Sequence, residues 1–228
     1  MNLAKLLIID TALEKAIIAL SNNELIVGER THSEAFSHAN FLQVAIAELL
    51  ASQDCTLTEL EAIAVTLGPG SYTGLRVGLA SAKGIAYALN KPLIGLSTLT
   101  ALAHAALKRA PADFGADFQV FSMIDARRME VFGGLYDPSC NPRLAEQAMV
   151  LDTVEWDKLI TMPTLCVGNG IEKTKCFTAA HPVVYHANSY TSLDLLEMAT
   201  KKLNQGQFED LAYVGPNYLK EVYIIPSK

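Results

Sequence analysis

The sequence predicts an α/β protein of two lobes, in which a strand-strand-strand-helix-strand-helix unit occurs twice and the second copy is reduced. Three observations carry this. Short apolar runs rich in branched side chains alternate with stretches whose apolar residues recur every three to four positions. The order of these elements over residues 1–110 returns over 111–228. Half of the 228 residues are hydrophobic and 18% are charged, which supplies two small cores and excludes disorder as a description of the whole chain.

In the first half, Leu6-Leu7-Ile8-Ile9 reads as a strand ending at Asp10-Thr11, and Ala16 to Leu20 and Leu25 to Val27 as two more around the turn Ser21-Asn22-Asn23. From Ser37 to Ser52 the period changes: Leu42, Ala45, Ile46 and Leu49 form the stripe of an amphipathic helix. Ile63-Ala64-Val65 is a buried strand broken by Gly68-Pro69-Gly70. A second helix runs from Thr73 to Leu89, closed by Asn90 and stopped by Pro92. Leu93 to Leu96 gives a further strand, and Ser97 opens a helix to about Arg109.

The stretch Pro111 to Ala116, with a Pro, a Gly and two Asp, marks the boundary. Beyond it Gln119 to Ile124 is a strand ending in Asp125, as the first strand ended in Asp10. Met129 to Tyr136 and a run near Gln147 to Leu151 are the returning strands, and a helix follows from Asp152 to Ile160. Thr164 to Val167 runs into Gly168-Asn169-Gly170 as the fourth strand of the first half ran into Gly68-Pro69-Gly70. After a strand near Val183, residues 192–203 form an amphipathic helix able to pack back on the first lobe. This order is that of the actin-like ATPase and sugar-kinase (ASKHA) fold. It places the turns after the first and fourth strands at a cleft, where ligands of α/β proteins bind.

A formal net charge of -6 argues against a protein that grips nucleic acid alone, which needs clustered Lys and Arg to displace counterions. The cysteines Cys55, Cys140, Cys166 and Cys176 stand far apart without a CxxC pair and read as reduced thiols. The run Leu6 to Ile9 is too short for a signal-peptide core, and nowhere do eighteen apolar residues follow one another, so the expectation is a cytoplasmic protein off the membrane.

The most informative stretch is Gly68-Pro69-Gly70-Ser71-Tyr72-Thr73-Gly74-Leu75-Arg76-Val77-Gly78. Glycines permit backbone shapes closed to other residues, and Ser71 or Thr73 can cap the helix that follows, leaving its first N–H groups pointing outward. Two readings stand side by side: an anion or carboxylate cradle built from Gly68, Gly70, Ser71 and Thr73, with Gly168 and Gly170 as counterparts, or a tight strand-to-helix turn. No Gly-Lys-Ser/Thr follows, so this is not a Walker loop.

That stretch, followed by Ala82-Lys83-Gly84, resembles the signature of the TsaB (YeaZ) family. So do Ile8-Ile9-Asp10-Thr11, Leu93-Ile94-Gly95-Leu96-Ser97-Thr98-Leu99, Ile124-Asp125-Ala126-Arg127-Arg128-Met129-Glu130-Val131-Phe132 and Pro216-Asn217-Tyr218-Leu219, in the family's order. Ala12, Gln43 and Lys220 depart from it at single positions. The resemblance implies a non-catalytic scaffold or activating subunit. Its partners would be a TsaD-like catalytic subunit and a TsaE-like ATPase, with tRNA reached only through the complex. The complex transfers threonylcarbamoyl to adenosine 37 of tRNAs reading codons that begin with A. The catalytic paralogue carries a His-x-x-x-His metal pair where this chain has Ser97-Thr98-Leu99-Thr100-Ala101, so no metal and no resident cofactor are expected, with a nucleotide at a shared interface left open. A stand-alone actin-like phosphotransferase or a glycoprotease-type hydrolase is the alternative.

Asp10 and Asp125 could face each other across the cleft, but the preferred reading is that each closes a turn by bonding nearby N–H groups. Arg127 and Arg128 either face an anion or sit at a solvated hairpin tip, and Cys166, in a strand, reads as core. His32, His38, His104, His181 and His186 are too scattered to chelate. Finally, Gly74, Gly78, Ala82 and Ala86 recur every four residues, and Arg76 and Lys83 are the only charges of their helix. A helix apolar around most of its girth is covered around most of it, so this strip, with Arg76 and Lys83, is expected to be a subunit interface and to pair with a second copy when the protein is alone.

Overall fold

Leu6–Asp10 forms β1, whose five residues are all buried, and β2 (Ala16–Asn22) returns antiparallel to it with Asp10 opposite Ile17. The computed structural model describes residues 4–33, 38–111, 114–186 and 189–220, without the side chains of 38–40. The expected helix start at Ser37 and positions 112–113 of the expected boundary lie outside the described residues.

β3 (Leu25–His32) is longer than the apolar run 25–27 suggested, because an edge strand is half solvated and its outer part, Gly28-Glu29-Arg30-Thr31-His32, is polar. α1 (His38–Ser52) buries Leu42, Ala45, Ile46 and Leu49 against this sheet. β4 (Ala62–Gly68) then runs parallel to β1 with Ile9 opposite Val65. α2 (Tyr72–Leu89) leads to β5 (Leu93–Ser97), parallel to β4. The sheet order is β3-β2-β1-β4-β5. α3 (Thr98–Leu107) follows.

The second sheet repeats this arrangement. β6 (Gln119–Asp125), β7 (Glu130–Tyr136) and β8 (Pro142–Val150) form the antiparallel part, and β9 (Thr164–Val167) and β10 (Val183–His186) the parallel part. The order β10-β9-β6-β7-β8 matches the first sheet strand for strand, with β6 in the place of β1. The duplicated actin-like α/β fold expected from the sequence is therefore present, in both sheets. β8 starts five residues before the expected run near 147–151, since Pro142, Arg143 and Ala145 are exposed and its first residues carry no continuous apolar signal. α4 (Thr153–Leu159), capped by the Asp152 carboxylate on the Glu155 N–H at 2.8 Å, buries Trp156 completely. Its ring packs on Phe177 and Phe121, with centroids 5.7 and 6.4 Å away.

α5 (Ser192–Asn204) opens with a capping box between Thr191 and Asp194. The chain divides into two units: residues 1–101 with 190–216, and 102–189 with 217–228. The first unit is thus discontinuous. Its last segment lies along the free side of β5, where the Glu209 N–H donates to the Leu93 carbonyl at 2.8 Å and Lys202 Nζ to the Gly95 carbonyl at 2.7 Å. Leu211 and Val214 pack on the core of that unit. Among the described residues no helix is long and apolar enough to cross a membrane.

Candidate functional site

The turn after β1 and the start of α2 are built around each other. Gly70 faces the Ala12 carbonyl so closely that any Cβ would land on it, and the Ser71 N–H donates to that same carbonyl at 2.7 Å. Ser71 Oγ caps α2 by accepting from the Gly74 N–H at 3.2 Å. One residue earlier in β1's turn, Thr11 Oγ1 donates to the Gly74 carbonyl at 2.7 Å. A Cβ on Gly74 would strike the Thr11 carbonyl, and one on Gly78 the Thr11 hydroxyl. These glycines serve close approach within the first unit, and the Ser71 N–H expected to line an anion cradle is already bonded.

This corrects the expected interface. Gly74, Gly78, Ala82 and Ala86 are all buried within the chain itself, as the strip by which α2 lies on β1 and β4. Lys83 is turned toward the last segment of the unit, where Nζ donates to the Val214 carbonyl at 3.1 Å. Arg76 does lie on the surface, its guanidinium stacked 4.0 Å above the Tyr72 ring. The exposed face of α2 carries a second strip of small residues, Thr73, Ala80, Gly84 and Ala88, beside exposed Tyr87. Nothing lies within 4 Å of the direction in which a Gly84 Cβ would point. α1 borders this face with exposed Val44, Ala47 and Ala51, and the Gln43 side-chain amide holds the helices together by donating to Ser81 Oγ at 2.7 Å.

The two equivalent aspartates have opposite surroundings. Asp10 is fully buried: one carboxylate oxygen accepts from Thr66 Oγ1 at 2.6 Å and from the Ala12 N–H at 2.9 Å. The buried Tyr190, at the entrance to α5, lies close by. Burial and then the Asp10 carboxylate hold its hydroxyl well above the usual tyrosine range. Asp125 is half exposed and paired: it accepts from Lys173 Nζ at 2.7 Å and from the Arg127 N–H at 2.6 Å, while its own N–H donates to Asn169 Oδ1 at 2.8 Å. Both thus close an Asx turn onto the N–H two residues on. Gly168, at φ 101°, presses on the Met123 carbonyl, and Gly170 on the Met123 side chain. Burial pushes the Cys166 thiol far up, so little thiolate forms there and it packs as core. Tyr190 and Lys173 carried no sequence signal, because their partners lie far away in the chain.

Lys173, chiefly by its hydrogen bond, holds the Asp125 carboxyl below its ordinary value near 4. A lowered folded-state pKa contributes stability that is present above the ordinary value and lost as pH falls through the folded one. Lys173→Met should therefore move the Asp125 titration, followed by carboxyl-carbon NMR, upward, and cost less than about 1 kcal/mol near neutral pH. An unmoved titration would show that the ion pair does not form in solution.

Comparison with known proteins agrees with this architecture. The profile of the family described as TsaD, tRNA N6-adenosine threonylcarbamoyltransferase, matches residues 26–215. The "tRNA threonylcarbamoyladenosine biosynthesis protein TsaB" of Bacillus subtilis is 31% identical over 172 residues, 72% of this chain and 70% of that one. The chain belongs to the TsaB (YeaZ) family. Haemophilus influenzae TsaB is 38% identical over 130 residues, 56% of this chain and 51% of its own, so the match spans about half the length of that curated relative. The solved structure titled "YeaZ from Pseudomonas aeruginosa" superposes with a TM-score of 0.76 at 29% identity, over 95% of this chain and 100% of that one.

Proposed function

We propose that this TsaB-family protein is a non-catalytic scaffold or activating subunit in the cytoplasmic assembly that places threonylcarbamoyl on adenosine 37 of tRNAs reading codons that begin with A. Its partners in this reading are a TsaD-like catalytic subunit and a TsaE-like ATPase. The observation that carries it is membership of the TsaB family, with 31% identity to the Bacillus subtilis protein over 172 residues. The outward face of α2 supports it. A mid-helix glycine costs about 1 kcal/mol relative to alanine. Within the chain Gly74 and Gly78 are required by their closeness to Thr11, whereas Gly84 is not required by any neighbour. A second backbone resting on Gly84, Ala80 and Ala88 accounts for it. We assign that face to the TsaD-like subunit, and to a second copy of this chain when it is alone.

Depleting the protein in its host is expected to remove most threonylcarbamoyladenosine from those tRNAs, as read by mass spectrometry of digested nucleosides. A depleted strain with normal levels of the modified nucleoside would refute the proposal.

A further inference from the structure

The tip of the β6–β7 hairpin, in the second unit, puts two arginines where arginine is costly. Arg127 and Arg128 are both exposed and both left-handed, at φ 69° and 49°, a conformation that asparagine and glycine adopt more readily. The acids that could offset them are engaged by other bases: Asp125 pairs with Lys173 at 2.7 Å, and Glu130 with Lys220. Lys173 Nζ also donates to the Glu130 carbonyl at 2.7 Å, which fixes it at the base of the hairpin. Four bases thus stand against two acids, a local charge of +2 on a chain whose net charge is -6. Among the described residues neither guanidinium makes a hydrogen bond or close ion pair; Arg127 and Arg128 attract Asp125 and Glu130 only at longer range, behind the lysines.

We infer that Arg127 and Arg128 contact the phosphate backbone of the RNA substrate once the protein is assembled with its partners. This deepens the proposed function and rests on it. Guanidinium groups suit phosphate through paired N–H donors, and such contacts position an RNA without reading its bases. A protein-binding surface would need apolar area around the tip. Here the collar is dominated by ion pairs, beside two exposed apolar side chains, Met129 and Val150, too few to make an apolar patch. The acidic balance of the rest of the chain is compatible with this, because two contacts add to an affinity supplied mainly by other subunits.

The test uses two double variants of the full chain in the assembled complex, titrated with unmodified tRNA at several salt concentrations. Arg127→Gln with Arg128→Gln removes the charge and keeps the costly backbone. Arg127→Asn with Arg128→Gly removes the charge and relieves the backbone, so it guards against a folding defect and should melt no lower than the wild type. Both are expected to form the complex normally, to bind tRNA on the order of tenfold more weakly, and to flatten the slope of log affinity against log salt by about two. Unchanged affinity and slope in both variants would overturn the inference and leave the proposed function standing. Loss of complex formation with unchanged RNA binding would overturn it in favour of a protein contact. A wild-type complex that fails to bind tRNA would defeat both the inference and the proposed function.

Discussion

Gly74→Leu is expected to destabilise the first unit strongly, whereas Gly84→Leu should leave its stability intact and strip it of its partner. Both changes put the same side chain on the same helix, three turns apart. At Gly74 the first atom added meets the Thr11 carbonyl, whose neighbour Ala12 is itself bonded to the Ser71 N–H, so neither side can give way without breaking the turn. Overpacking typically costs 1–3 kcal/mol and sometimes more. With a backbone atom as the obstacle we expect about 3 kcal/mol or above, a fall of roughly 6–12 °C in melting temperature for a chain of this size. At Gly84 the leucine enters open space and should gain up to about 1 kcal/mol of helix propensity in the free chain, while holding an approaching helix away by the width of a side chain. Melting temperature and molar mass in solution, measured side by side with and without the TsaD-like subunit, separate the two effects. If Gly74→Leu melted normally yet failed to associate, the inward strip would be the interface after all.

Trp156→Ala should have the largest effect in the second unit. The ring has no exposed surface and lies between Phe121 and Phe177, with Leu159, Ile160 and Ile171 in the same cluster. Truncating a buried tryptophan removes its transfer free energy and leaves a cavity that rigid neighbours fill poorly, at about 3–5 kcal/mol. α4 is short, capped only by Asp152, and has little intrinsic stability with which to absorb the loss. Hydrogen exchange should show β6, β7 and β9 losing protection by the same free energy. Protection equal to the wild type in those strands would mean that the Trp156 site collapses around the cavity.

The strands and helices were legible where one period dominated. β1, β4, β6 and β9 are buried along nearly their whole length and read as continuous apolar runs, and α1 showed its stripe at Leu42, Ala45, Ile46 and Leu49. Edge strands were cut short, since β3 ends and β8 begins in solvated residues without an apolar run, which resemble loop. For the candidate site, the helix was legible and its orientation was not. Small residues recur at four-residue spacing on both sides of α2, as Gly74, Gly78, Ala82 and Ala86 and again as Ala80, Gly84 and Ala88. Which side lies on the sheet is decided by Thr11, more than sixty residues away in the chain. The same holds for charge. Asp10 and Asp125 end equivalent strands with the same local turn, and differ because Lys173 comes from 48 residues further on.

The discontinuity of the first unit bears on how the protein is made. Its sheet is complete by Ser97, but α5 and the segment that occupies the free side of β5 belong to residues 190–216. A ribosome adding about 5–20 residues per second needs roughly 5–20 s to pass from residue 101 to residue 190. During that interval the carbonyls of Leu93 and Gly95 await donors that have not yet been synthesised, and β5 is a bare edge able to pair with another nascent chain. The unit begun first waits for a segment made only after residues 102–189 of the second. Stalling or truncation between Ser97 and Glu209 therefore yields a chain whose first sheet is formed but unguarded, which places the burden of avoiding aggregation on the speed with which residues 190–216 are delivered.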